Sequence, residues 1–317
     1  MSRQISDLHV DQPLTNLAID FVNGGFVAND LFPVFPVDKE SDKYYLFTRR
    51  EAFQASRALR APNAPAAVKE WSLTTGSFAC DEYALAGYIG DRERGNADAI
   101  IDLDGKTTLD LMQDLLLGQE IRVATIVTDT AVLTQNTTLS GGNQWGTDTS
   151  DPLGAVRTGR AAIHAATGKN PTIMVVGRQV HDQLVDHPDL VERIKHSQLG
   201  VVTPQLMAQL FEVDQYRVAE AIKDTANEGQ SSATLSYAFG KNCVLAYVDP
   251  SPGPRTLSLG WTFSKRRAMG AGGQPSSILV KRFRNEPAAA DVIEASQIVV
   301  ERLVSLNCGY LIKDAVA

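Results

Sequence analysis

The sequence predicts an α+β protein organised around one long helix. Three observations carry this prediction. Residues 104–129 place apolar side chains at helical spacing, and from residue 151 short helices and strands alternate. The last stretch, 277–317, contains two β-rich runs.

The elements follow in order. Residues 1–36 are weakly patterned, broken by Gly24 and Gly25 and stiffened by Pro33 and Pro36. They read as an arm that packs on another surface. Residues 37–75 read as a long hairpin. Its first limb mixes aromatics (Tyr44, Tyr45, Phe47, Phe53) with charge (Arg49, Arg50, Glu51), Pro62 and Pro65 mark a turn, and residues 68–73 form the return strand. Two strands alone are marginal in water, so such a hairpin needs a partner surface unless it is an ordinary surface ornament.

The long helix is expected over 107–129. Thr107 and Asp110 form a weak capping box, and Leu109, Met112, Leu116, Val123 and Val127 share one face. At ~1.5 Å per residue it is a rod of roughly 33 Å. Glu120 interrupts the apolar stripe. A buried carboxylate needs a partner, most simply an Arg, or a shifted pKa. It reads as a catalytic acid or as half of a structural or intersubunit ion pair, and the absence of a second acid, His or nucleophile nearby favours the ion pair.

Residues 139–150 are polar and glycine-rich around Trp145, without a phosphate-loop or dinucleotide pattern, and read as a linker with an aromatic anchor. Asp151 then caps a helix whose first residue is Pro152 and whose stop is Gly168. A buried strand follows at 172–176, then a helix over 179–186 that ends before Pro188, with Val180 and Leu184 inward. A short helix carries Leu190, Val191 and Ile194, and another opens at Thr203-Pro204 with Leu206, Leu210 and Phe211 on its face. Strands are expected at 216–222 and 243–248, flanking a polar loop at 224–234, and Pro250 to Pro254 make a rigid turn.

Composition narrows the function. The net charge of −7 argues against a protein built mainly to bind duplex DNA, though not against a container wall that faces it. Cys80, Cys243 and Cys308 are few, odd in number and without CxxC spacing, which points to buried reduced thiols. No apolar run approaches the ~20 residues of a transmembrane helix, and residues 1–20 lack signal-peptide features, so a cytosolic protein is expected. Among His9, His164, His181, His187 and His196, His181 and His187 lie near Asp182, Asp186 and Asp189 without the HExxH spacing. They read as helix-end caps rather than as a metal or acid–base cluster. The runs Lys265-Arg266-Arg267 and Lys281-Arg282-Phe283-Arg284 suit nucleic acid, an acidic neighbouring subunit, or simple solvation. No catalytic, cofactor-binding or metal site is predicted, and no enzyme signature appears.

Several motifs occur in a familiar order. Thr167-Gly-Lys-Asn-Pro-Thr-Ile-Met-Val-Val-Gly precedes Val180-His-Asp-Gln-Leu-Val-Asp-His-Pro. Leu199-Gly-Val-Val-Thr-Pro-Gln-Leu-Met-Ala-Gln-Leu-Phe-Glu-Val and Asn242-Cys-Val-Leu-Ala-Tyr-Val-Asp-Pro follow. With Pro33-Val-Phe-Pro-Val, Lys43-Tyr-Tyr, Phe47 and Arg60-Ala-Pro upstream, this ordered set resembles the major capsid proteins of tailed phages over about Leu31 to Trp261.

The resemblance implies the Hong Kong 97-type capsid fold. Its parts would be an N-terminal arm (1–36), an extended loop (37–75), a peripheral domain with the spine helix (76–150), an axial domain (151–276) and C-terminal strands returning to the peripheral domain (277–317). It implies a non-enzymatic shell subunit in the virion, assembled in the bacterial host cytoplasm, with itself in hexamers and pentamers as main partner. A scaffolding protein, portal, decoration protein and packaged double-stranded DNA are the further partners it implies. The arm starts almost at Met1, so a separate scaffold is expected. Lys39, Lys43 and Lys69 cannot be matched to the cross-linking chemistry of some members. The alternatives are an encapsulin-type nanocompartment shell and a soluble α/β enzyme.

Overall fold

The computed structural model describes residues 25–46, 53, 74–96, 102–194, 203–226, 230, 232, 234–251, 253, 256–266 and 278–317. Its first half contains α1 (Ala28–Leu31), β1 (Val34–Val37), β2 (Ser41–Leu46), β3 (Thr74–Ala79), β4 (Asp81–Gly90), α2 (Asp91–Asn96), α3 (Leu103–Thr128) and β5 (Asn136–Thr138). Then come α4 (Pro152–Thr167), β6 (Ile173–Gly177), α5 (Arg178–Val185), α6 (Pro188–Ile194), α7 (Pro204–Leu210), β7 (Gln215–Ala219), β8 (Ile222–Asp224) and β9 (Leu235–Tyr237). The chain ends with β10 (Cys243–Ala246), β11 (Gly260–Lys265), β12 (Ile278–Asn285), β13 (Ala290–Leu303) and β14 (Gly309–Lys313).

The long helix begins one turn before the expected Thr107, because the cap is Asp102, whose carboxylate accepts from the Gly105 amide at 3.0 Å. Thr107 has a packing role instead. A Cβ at Gly87 of β4 would come within 2.4 Å of its methyl carbon, so helix and strand meet at a glycine. The buried stripe runs through Thr108, Met112, Leu115, Gln119, Glu120, Val123 and Val127, with Leu115 fully inward and Leu116 partly buried against the same cluster.

That helix spans two sheets. The first has the order β1-β11-β13-β12, with β4 also on β13. Fourteen-residue β13 is its central strand, pairing with β4 along one edge and with β12 and then β11 along the other. Met112 and Leu115 of α3 pack there against Ile89, Ile278, Val280, Ile293 and Ala295. The second sheet has the order β5-β14-β10-β6-β7. Its strands β6 and β10 are buried along their whole length, as expected of strands covered on both faces. Val156, Ile163, Val180, Leu184, Leu190, Met207 and Phe211, from α4 to α7, cover one face. Val123, Ala124 and Val127 of α3 cover the other, with Leu31 and Phe32.

Two strands cross the division expected from sequence. β11 lies within 151–276 yet pairs in the first sheet, and β14 lies within 277–317 yet pairs in the second. Each sheet is thus closed by a strand distant in sequence. In the expected hairpin, β2 and β3 pair from Ser41 opposite Ala79 to Leu46 opposite Thr74. The expected return strand at 68–73 and the turn at Pro62 and Pro65 lie outside the described residues. Asp151 does cap α4, accepting from the Gly154 amide at 2.7 Å, and Gly168 ends it at φ 70°.

Candidate functional site

Among the described residues, Glu120, His181, His187 and the basic runs have structural partners. Glu120 is fully buried, and one carboxylate oxygen accepts from the amides of Val27 and Ala28 at 3.0 and 2.7 Å. It therefore caps α1, and the expected Arg partner is corrected to two backbone donors. Burial pushes its carboxyl up to about 7, against the downward pull of those two hydrogen bonds. A different ion pair, which the sequence reading did not anticipate, lies two residues further on. Arg122 grips Glu301 of β13 through two hydrogen bonds of 3.0 and 2.8 Å and lies 4.0 Å from the centre of the Tyr83 ring.

The two histidines diverge. His181 Nδ1 is 2.9 Å from the Tyr216 hydroxyl, and burial lowers the pKa of its imidazole. His187 is buried with Nε2 3.0 Å from Ser150 Oγ. That pairing resembles a nucleophile and its base, but the hydrogen bonds run the other way. The Asp189 amide donates to His187 Nδ1, leaving the ring proton on Nε2 to donate to Ser150, whose hydroxyl donates to the Thr147 carbonyl at 2.8 Å. The pair fastens the loop before α4 to the start of α6. Among the described residues, no group of three or more His, Cys, Asp or Glu could hold a metal. Cys243 and Cys308 are buried, and desolvation raises the pKa of the half-buried Cys80 thiol to about 11, leaving it poorly nucleophilic. Trp145 is fully buried and anchors the glycine-rich loop.

Among the described residues, the basic runs are paired with acids of the same chain. Lys265 pairs with Glu40 and Arg266 with Asp38, while Arg267 lies outside the described residues. Arg282, Arg94 and Arg284 converge on Asp291, with Asp104 bridging Arg94 to Arg282 and Asp91 holding Arg284 by two bonds of 2.6 Å. This network clamps α2, α3, β12 and β13 together.

Among the described residues, the extended segments are held by a set of grips. The segment 27–37 is held by Glu120, by Asn29 to Gln119 at 3.0 Å, and by Thr262, which donates to the Phe32 carbonyl at 3.0 Å. The base of the hairpin rests on an aromatic cluster. Phe78 stacks on Phe263 at 4.4 Å, Phe35 on Trp261 at 5.3 Å, and Tyr44 leans on Phe263. Sequence reading missed this cluster, although Trp261 and Phe263 stand two residues apart and so share one face of β11.

Solved structures share this architecture. A phage-related protein from Bordetella bronchiseptica superposes with a TM-score of 0.75 at 22% identity, over 97% of this chain and 98% of that one. The capsid of cyanophage P-SCSP1u gives 0.56 at 9% identity, over 99% and 92%. The fold is thus the α+β fold of Hong Kong 97-type phage capsid proteins.

Sequence comparison narrows the class. The model of the family "Phage major capsid protein E" matches residues 105–253. The major capsid protein of Burkholderia phage BcepMu is 30% identical over 319 residues, 96% of this chain and 95% of its own length. The chain belongs to the phage major capsid protein family, whose members assemble into multimeric shells.

Proposed function

We propose that copies of this chain close into an icosahedral shell of hexamers and pentamers around double-stranded phage DNA. The observation that carries this reading is the 30% identity to a phage major capsid protein across nearly the whole of both chains. Residues 1–36 are the arm, 37–75 the extended loop, 76–150 the core of the peripheral domain and 151–276 most of the axial domain. The sheet membership of β11 and β14 supports moving those two strands, so that the peripheral domain takes β11 and the axial domain takes β14. The subunit has no catalytic role, its place is the virion, and its shell forms in the host cytoplasm. The partners are other copies of itself, a scaffolding protein, a portal and a decoration protein.

The internal pairing of the basic runs supports contact with DNA that is weak and independent of sequence, because few of those cations remain to neutralise phosphates. Particles purified from an expressing host test the reading. Closed shells containing DNA, or empty shells without a co-purifying enzyme, are expected. Shells filled with one enzyme would indicate a nanocompartment instead.

A further inference from the structure

We propose that Glu120 makes attachment of the segment 27–32 to α3 proton-dependent, so that the segment is held most firmly with the carboxyl neutral and loosens at alkaline pH. The geometry carries this. One oxygen of a side chain only 1% exposed accepts both amides that open α1, so a single carboxyl joins the N-terminal segment to the middle of the long helix.

The charges around it offer no compensation. Asp30, on α1 itself, is negative and is held by Arg217 of β7 at 3.1 Å. Arg122, on the same helix, is committed to Glu301 of β13. Asn29 and Gln119 pair with each other as neutral amides. Thr262, reaching in from β11, is neutral. The nearby turns contribute Val27, Ala28, Val123 and Ala124, all apolar. Among the described residues no Lys, Arg or His pairs with Glu120, so an ionised carboxylate there has two amide donors and no counter-ion.

The sign follows from linkage. When attached, the carboxyl sits at about 7, and when the segment lifts away and water enters, it returns to its ordinary 4.5. Attachment therefore takes up a proton between those values. It is strongest below the lower value, weakens as pH rises through the upper one, and is flat above it. The full span corresponds to a change on the order of a hundredfold in the attachment equilibrium.

Hydrogen exchange on the full chain, from about pH 5.5 to about pH 8.5 and corrected for intrinsic exchange, tests this without requiring assembly. Protection of amides 27–32 should fall roughly tenfold or more across that range, while that of 243–246 in β10 stays level. In Glu120→Gln, whose amide oxygen can still accept from both donors, protection of 27–32 should be level as well. Asp30→Asn removes a negative charge that adds to the upward push of burial on the carboxyl, so it should move the loosening to lower pH, and it serves if the Gln variant does not fold. Equal pH courses for 27–32 and 243–246 in the unsubstituted chain would overturn the proposal. So would an unchanged pH course in Glu120→Gln, or an unshifted one in Asp30→Asn.

Discussion

Phe32 lies in a slot that exists because residue 260 has no side chain. A Cβ at Gly260 would come within 1.6 Å of the Phe32 ring and 2.8 Å of the Arg302 carbonyl. Gly260→Ala should therefore expel the ring or bend β11, lowering stability by about 2–3 kcal/mol in denaturant unfolding. A loss under ~0.5 kcal/mol would show that the slot is looser than the geometry implies. Arg122 and Glu301 are coupled in the same spirit. Removing Glu301 leaves a half-buried guanidinium with only the Tyr83 ring, and Glu301→Ala should cost roughly 2 kcal/mol. A double-mutant cycle with Arg122→Ala should recover about half of that as coupling energy. At this scale the sequence is partly legible. The apolar stripe reveals that Glu120 is buried, because periodicity reports burial. It does not reveal the partners, since backbone amides 93 and 92 residues away have no side-chain signature.

Elements are most legible where their signals are local. α4 is bounded by Asp151, Pro152 and Gly168 as expected, because caps and stops act within one turn. α3 starts a turn early because Asp102, rather than the expected Thr107, is the cap and captures the Gly105 amide. The basic run of β12 is misread as a free surface for the opposite reason. Its acids come from α2, α3 and β13, which only the fold brings together. Asp291 is paired with three arginines, and the Arg282 hydrogen bond holds its carboxyl below the usual range. A depressed carboxyl stabilises the folded state above its unfolded value and loses that contribution as pH falls through the folded one. Acid should thus loosen the junction of α2, β12 and β13 below about pH 4. Asp291→Asn should remove that acid sensitivity and lower the melting temperature at neutral pH by roughly 2–3 °C, less in high salt. An unchanged acid profile in the variant would assign the sensitivity elsewhere.

At the scale of the whole molecule, helix and strand order was within reach of the sequence, and the partition into sheets was not. β11 and β14 join sheets far from their sequence neighbours, and no periodicity encodes which sheet a buried strand enters. The insufficiency of the hairpin is legible, because two strands cannot bury enough surface alone. In the structure the described base of that hairpin leans on β11 through Phe78 and Tyr44. Deleting residues 56–67 should leave the second sheet folded, read as unchanged exchange protection in β6 and β10, while particles become fragile. Particles of normal stability from that deletion would remove the hairpin from the list of intersubunit grips. The central claim is that this chain is a shell subunit, and negative-stain imaging of the purified protein tests it most directly. Closed shells or ring-shaped capsomers of uniform size are the predicted result. A protein that remains monomeric at high concentration, across salt conditions and with a scaffolding protein present, would contradict it.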